Sequence, residues 1–242
     1  MNIENSTALV TGANRGLGRV FTRQLLSRGA RAVYATARRP ETLDALRAEY
    51  GDRVRTLAVD ITREETIQAA RDAAADVDLL VNNAGIATGT PLVTGELDAV
   101  RAELDTHFWG TLRMTRAFAP VLAANGGGAI INVMSALSFI SDVGHGAYAV
   151  GKAAQWQLTN AVRLELAAQG THVLAVHLAA TDTDMMAGID IPKNGPEVVI
   201  SAALDALVEG RLEMLDAQTA GIKQLLSSAP ERIYPQLADV AH

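Results

Sequence analysis

The chain has 242 residues, 49% of them apolar, with 21 Lys+Arg against 27 Asp+Glu and a formal net charge of −6. That apolar fraction fits a globular fold and excludes wholesale disorder, while the acidic balance argues against a nucleic-acid partner, which asks for a basic face. Cysteine is absent, which excludes disulfides, thiolate nucleophiles and Cys-rich metal sites.

Residues 1–12 run straight toward a strand, without a charged-then-apolar leader, and no apolar run nears the ~18–20 residues of a membrane span. A cytoplasmic protein with no membrane partner is expected. Strand-like apolar runs alternate with helix-period segments, the pattern of a doubly wound parallel α/β sheet with helices on both faces. In chain order the strands read Thr7–Thr11, Ala32–Ala37, Val54–Val59, Leu79–Asn82, Ala129–Met134 and His172–His177, with a shorter, more polar seventh at Arg211–Asp216 that leads into a polar helix. The helices read Gly16–Arg28, Glu41–Tyr50, Glu64–Ala75, one long element Leu97–Asn125, and Tyr148–Gln169. Gly29 and Gly170 fall where helix C-termini favour positive φ. No repeat or linker divides the chain, so residues 1–242 read as a single domain. Residues 184–200 are irregular enough to form a loop that covers a site.

Between the first strand and the first helix stands Thr11-Gly12-Ala13-Asn14-Arg15-Gly16-Leu17-Gly18. Glycines there allow a tight turn and close backbone approach to a pyrophosphate, and the helix N-terminus offers free N–H groups to an anion. The cofactor-facing residues of this loop are Gly12, Asn14, Arg15, Gly16, Leu17 and Gly18. The second strand ends Ala37-Arg38-Arg39 with no acid. A carboxylate at that place would select NAD by binding ribose hydroxyls; Arg38 instead offers charge-assisted hydrogen bonds to a 2′-phosphate, and Arg15 is within reach of the same group. Arg39 reads as a solvated surface charge. Val59-Asp60-Ile61 closes the third strand, where a carboxylate can accept from an adenine amino group, and Asn82-Asn83-Ala84-Gly85 closes the fourth. Each also fits ordinary turn chemistry; together they mark the ligand edge of an open sheet.

Tyr148 and Lys152 stand one helical turn apart and share a face. Ser135 ends the fifth strand at the same edge. Carbonyl reduction needs a proton donor for the developing alkoxide: a phenol of pKa ~10 becomes one near neutrality if a cation stabilises its phenolate. Lys152 supplies the cation, and Ser135 a hydrogen bond to the substrate oxygen.

The ordered set Thr11-Gly-x-x-x-Gly-x-Gly18, Asn82-Asn-Ala-Gly85, Ser135 and Tyr148-x-x-x-Lys152 resembles the short-chain dehydrogenase/reductase family over residues 5–190. The resemblance implies a Rossmann-type fold and an NADP(H)-dependent carbonyl reductase or alcohol dehydrogenase. In it Tyr148 is the general acid/base, Ser135 an orienting donor, and Lys152 the group that binds the nicotinamide ribose and lowers the phenol pKa. It further implies Asp60 and Ile61 near adenine, Asn83, Ala84 and Gly85 near the adenosine ribose, and Thr183 on the carboxamide. Arg15 and Arg38 match the NADP(H)-preferring pattern. Three departures stand out. His107 occupies the place of the family's Asn in Asn-x-x-Gly, which anchors a water linked to the lysine. Leu178-Ala179 replaces Pro-Gly. The C-terminal Asp-Gly-Gly is missing, which leaves the tetramer open beside the homodimer expected from the outer faces of the Leu97–Asn125 and Tyr148 helices.

Ala136, Leu137, Phe139, Ala179, Met185, Met186 and Ile189 read as an apolar substrate wall. His145 reads equally as a substrate contact or an exposed loop residue. His172 and His177 read as structural, and His107 either faces the site as a relay or packs against Phe108 or Trp109. No His/Asp/Glu cluster has metal spacing. The expected substrate is a small or medium ketone or its alcohol; imine reduction and a non-catalytic NADP(H) sensor are the alternatives.

Overall fold

The computed structural model describes residues 1–233; residues 234–242, part of the single domain expected from the sequence, lie outside the described residues. Seven parallel strands form one sheet in the order β3-β2-β1-β4-β5-β6-β7: β1 (Thr7–Val10), β2 (Ala32–Ala37), β3 (Val54–Ala58), β4 (Leu79–Asn82), β5 (Ala129–Ser135), β6 (His172–Leu178) and β7 (Glu213–Leu215). The strand order reverses between β1 and β4, the crevice at which open α/β sheets take ligands.

Alternation along the strands builds two cores. Ala8, Val10, Leu79, Val81, Ile131 and Val133 face α1 (Gly16–Ser27), α2 (Asp44–Tyr50) and α7 (Pro196–Val208). Leu9, Leu80 and Ile130 face α3 (Glu64–Ala73), α5 (Thr111–Ala124) and α6 (Gly146–Glu165). With both faces covered, the central strands read as unbroken apolar runs rather than alternating ones.

Two expectations are corrected. The Leu97–Asn125 helix is not continuous: α4 (Leu97–Leu104) passes through a π-helical turn, Asp105–Gly110, before α5 begins. Each π turn inserts a residue relative to the α ladder, a change that leaves the apolar period of the flanking segments readable as one helix. The irregular segment is also shorter than 184–200. It holds one 3-10 turn, Asp184–Met186, and yields at Pro196 to α7, which buries Val199, Ile200, Ala203, Leu204 and Leu207 against α1 and β6. The Gly195-Pro196 start is a helix signal, because proline at N1 loses no hydrogen bond. The polar helix after the last strand is α8 (Ala217–Ser228), capped by the Asp216 side chain on Thr219 N.

Candidate active site

The C-terminal ends of β1, β2, β4 and β5 bring the candidate residues to one edge. Gly12 and Gly16 have φ of 66° and 50°, values natural to glycine. A Cβ on Gly18 would run into the Gly12 carbonyl oxygen and lie 2.6 Å from Asn83 Nδ2; the turn closes this tightly because nothing stands there. Thr11 Oγ1 accepts from Asn83 N (2.9 Å) and Ala84 N (3.0 Å), and Asn83 Nδ2 donates to Thr11 O (2.9 Å). Asn83 thus stitches the loop after β4 to the glycine turn, a structural task that the sequence reading had not given it. Arg15 precedes α1, whose first turn holds no acid and no side-chain cap, so its N–H groups remain available to an anion. Thr183 faces the same turn: a Cβ on Gly16 would sit 3.6 Å from it.

Arg38 is exposed and takes part in no ion pair among the described residues, whereas Arg39 approaches Glu41 at 3.9 Å. Asp60 turns one carboxylate oxygen back onto Thr62 N and Oγ1 (3.0 and 2.7 Å). Ile61 is buried, and a Cβ on Gly110 would fall 2.7 Å from its Cδ1. Arg15 Nη1 lies 3.7 Å from Asp184 of the loop after β6, both exposed.

Ser135, Tyr148 and Lys152 converge from β5 and α6. Lys152 is buried, its Nζ 5.6 Å from the Tyr148 ring centroid, donating to Val133 O (2.9 Å) and Gln155 Oε1 (3.0 Å). Burial pulls the ammonium down to about 7, against an opposing pull from Glu103. Burial likewise raises the Tyr148 phenol, while its hydrogen bond with Ser135 works in the other direction. The negative charge of Glu103 adds to the rise. A half-buried, neutral phenol beside a readily neutralised lysine holds its proton until charge develops nearby.

His107 faces inward; Phe108 and Trp109 pack on each other instead, with centroids 4.9 Å apart. Its ring meets the Tyr148 ring edge-on at 5.1 Å, and Nε2 lies 2.9 Å from Ile86 O. Burial first, and Lys152 second, lower it to about 4, so the imidazole is neutral at physiological pH. Two residues at this centre escaped the sequence reading. Glu103, wholly buried, accepts from Thr88 N (2.6 Å) and Thr88 Oγ1 (2.8 Å) and stands 3.1 Å from His107 Nε2. Gln155 links Lys152 to Thr111 Oγ1 (3.0 Å). The one-turn spacings Glu103-x-x-x-His107 and Lys152-x-x-Gln155 were the available signals, because residues so spaced share a helix face.

The substrate wall divides. Phe139 stacks on His177 (4.4 Å) and meets Trp156 edge-on (4.7 Å), so it belongs to the packing between β6 and α6. Ala136 is buried; Leu137, Ala179 and Met186 are partly exposed; Met185 and Ile189 are exposed. His145 is partly exposed, with Nδ1 3.1 Å from Asp142 Oδ1. Asp216 accepts from Ala179 N and Asn194 Nδ2 (3.1 Å), fixing both ends of the loop after β6. Among the described residues no three His, Cys, Asp or Glu converge as metal ligands, and no helix is long and apolar enough to cross a membrane.

Residues 6–194 match the short chain dehydrogenase model, and the chain belongs to that family. It is 30% identical to the 3-oxoacyl-[acyl-carrier-protein] reductase of Vibrio harveyi, over 97% of this chain and 94% of that one. It is 32% identical to serine 3-dehydrogenase of Agrobacterium fabrum, over 74% of each. A short chain dehydrogenase from Burkholderia cenocepacia, solved in complex with NADP, superposes with a TM-score of 0.92 at 38% identity, covering 98% of this chain and 99% of that one.

Proposed function

We propose that this chain is an NADP(H)-dependent oxidoreductase that interconverts a small or medium ketone or aldehyde and its alcohol, with Tyr148 as general acid/base. The observation that carries the reading is the convergence of Ser135, Tyr148 and Lys152 beside the crevice between β1 and β4.

The residues fit a 2′-phosphorylated dinucleotide. An uncapped helix N-terminus without acids, a glycine turn with no room for a Cβ, and exposed Arg38 and Arg15 offer N–H groups and cations to phosphates, and no carboxylate at the end of β2 opposes them. Gly12, Asn14, Gly16, Leu17 and Gly18 would cradle the pyrophosphate, Asp60 and Ile61 the adenine, and Asn83, Ala84 and Gly85 the adenosine ribose. Lys152 would hold the nicotinamide ribose and Thr183 the carboxamide. NADP(H), when bound, supplies or takes the hydride. The protein does the rest: Ser135 donates a hydrogen bond to the substrate oxygen, and Tyr148 gives its phenol proton to that oxygen as negative charge builds there. Lys152 stabilises the phenolate left behind, and His107 carries the hydrogen-bonded path that reprotonates it. Ala136, Leu137, Ala179, Met185, Met186 and His145 would border the substrate, with the segment after Thr183 closing over it.

The test is a panel of uncharged ketones and alcohols followed by NADPH or NADP⁺ absorbance. Turnover of ketones by NADPH supports the reading; binding of NADPH without turnover of any member would point to a sensor and overturn it. The outer faces of α4, α5 and α6 further support at least a homodimer. Light scattering at twice the chain mass is expected, and a monomer would refute it.

A further inference from the structure

His107 Nδ1 is buried without a hydrogen-bond partner among the described residues; Glu103 Oε2 is buried too and makes no aligned hydrogen bond, approaching His107 Nε2 at 3.1 Å as a charge contact. Such atoms are rare, because each forfeits the hydrogen bonds it had in water. Their surroundings are built rather than accidental. Glu103 Oε1 is held by two donors from Thr88, so the carboxylate cannot swing away. Gly151 admits the His107 ring on one side, where a Cβ would be 3.2 Å from Cδ2. Gly85 admits it on the other, where a Cβ would be 2.9 Å from Cε1 and 3.6 Å from Nδ1.

Both neighbours of Nε2 are oxygens that only accept: Ile86 O at 2.9 Å and Glu103 Oε2 at 3.1 Å. The ring proton therefore belongs on Nε2, and Nδ1 is a bare lone pair on the Gly85 side, beside the Tyr148 ring.

We propose that Glu103 is a positioning residue of the acid/base centre: with Ile86 it fixes His107 in the Nε2–H tautomer, so that Nδ1 is a permanent hydrogen-bond acceptor for the proton-carrying water or hydroxyl that serves Lys152 and Tyr148. The imidazole stays neutral throughout and orients the donor without taking its proton. The fixed charge of Glu103 also acts on the other titratable groups facing this pair, Lys152 and Tyr148 of α6, favouring the protonated form of each. The segment from Gly85 to Thr90, packed on the other side, brings no charge. This inference rests on Tyr148 being the acid/base group.

Two measurements test it. Nitrogen-15 histidine NMR of the cofactor-free enzyme, with the His107 signals assigned by their loss in His107→Asn, should show Nε2 protonated and Nδ1 bare from about pH 6 to pH 9. An imidazolium or an Nδ1–H tautomer would overturn the proposal. This arm uses the parent enzyme, so it stands even where a Glu103 variant folds poorly, and it is independent of whether Tyr148 proves essential. The second measurement is a double-mutant cycle on kcat, with melting temperature as the control for folding. Glu103→Gln keeps the oxygen that Thr88 needs; it should lower kcat about tenfold in the parent and less than about twofold in His107→Asn. It should also move the basic limb of the pH profile down by about one unit, and Glu103→Asp, which keeps the charge, should restore that limb. Equal losses in both backgrounds with an unmoved limb would reduce Glu103 to a structural residue and overturn the proposal.

Discussion

Arg38 and His107 illustrate how differently single residues can be read from a sequence. Arg38 stood out because an absence, no acid after Ala37, points to one chemistry; its guanidinium is exposed and forms no ion pair among the described residues. Arg38→Ala should narrow the preference for NADPH over NADH by roughly 10–150-fold, the worth of one charge-assisted contact of ~1.5–3 kcal/mol. Comparing kcat/KM for both cofactors checks this; parental enzyme equally efficient with both would contradict it. His107 was legible only as an anomaly. Its orientation, and the buried carboxylate beside it, depend on Gly85, Gly151 and Thr88, which lie in other segments and share no local pattern with it. His107→Leu should lower kcat far more than KM, since the ring faces Tyr148 and not the substrate wall. Because the imidazole is already neutral above about pH 4, the loss should be uniform across neutral pH. Unchanged kcat would mean that the ring only fills space.

At the scale of elements, strands were the most legible, since burial on both faces leaves a mainly apolar text, as in Leu79–Val81 and Ala129–Ile131. The π turn at Asp105–Gly110 was hidden for the opposite reason: it shifts hydrogen bonds without changing composition. It lets Gly110 take the Ile61 side chain against its backbone and sets His107 toward α6. Helix α7 was missed because its apolar residues are nearly continuous and give no one-sided helical period. The glycine turn gives a direct element-level test. Gly18→Ala must push the Gly12 carbonyl or Asn83 aside, an overpacking cost of ~1–3 kcal/mol. Thermal melting should therefore fall by roughly 2–12 °C, and NADPH affinity should drop with it. A variant with parental melting temperature and affinity would show that the turn is not closed as described.

For the whole molecule, two wholly buried histidines packed against the Tyr148 helix link folding to pH. His107 and His177 are each lowered to about 4, first by burial. A folded pKa below the unfolded ~6.5 means the native state binds fewer protons than the unfolded chain. Stability from this source is full above about pH 6.5 and is lost as pH falls toward 4. Between pH 7 and pH 5 the two histidines should lower the melting temperature by roughly 10 °C, and His177→Leu should remove about half of that slope. A flat melting temperature over this range would show that one or both rings are hydrated. His177 was read from the sequence as structural, and its stacking on Phe139 and edge-on contact with Trp156 join β6 to α6 across a separation that no local pattern reports.

The proposed proton transfer depends on one phenol. Tyr148→Phe removes the proton donor, keeps the ring against His107, and leaves the glycine turn and Arg38 untouched. NADPH binding by fluorescence titration should stay within about twofold, while single-turnover reduction of a ketone substrate falls by roughly 100-fold or more, the usual worth of a positioned general acid. Near-parental turnover by the Phe variant would contradict the account, because the proton would then come from a group other than Tyr148.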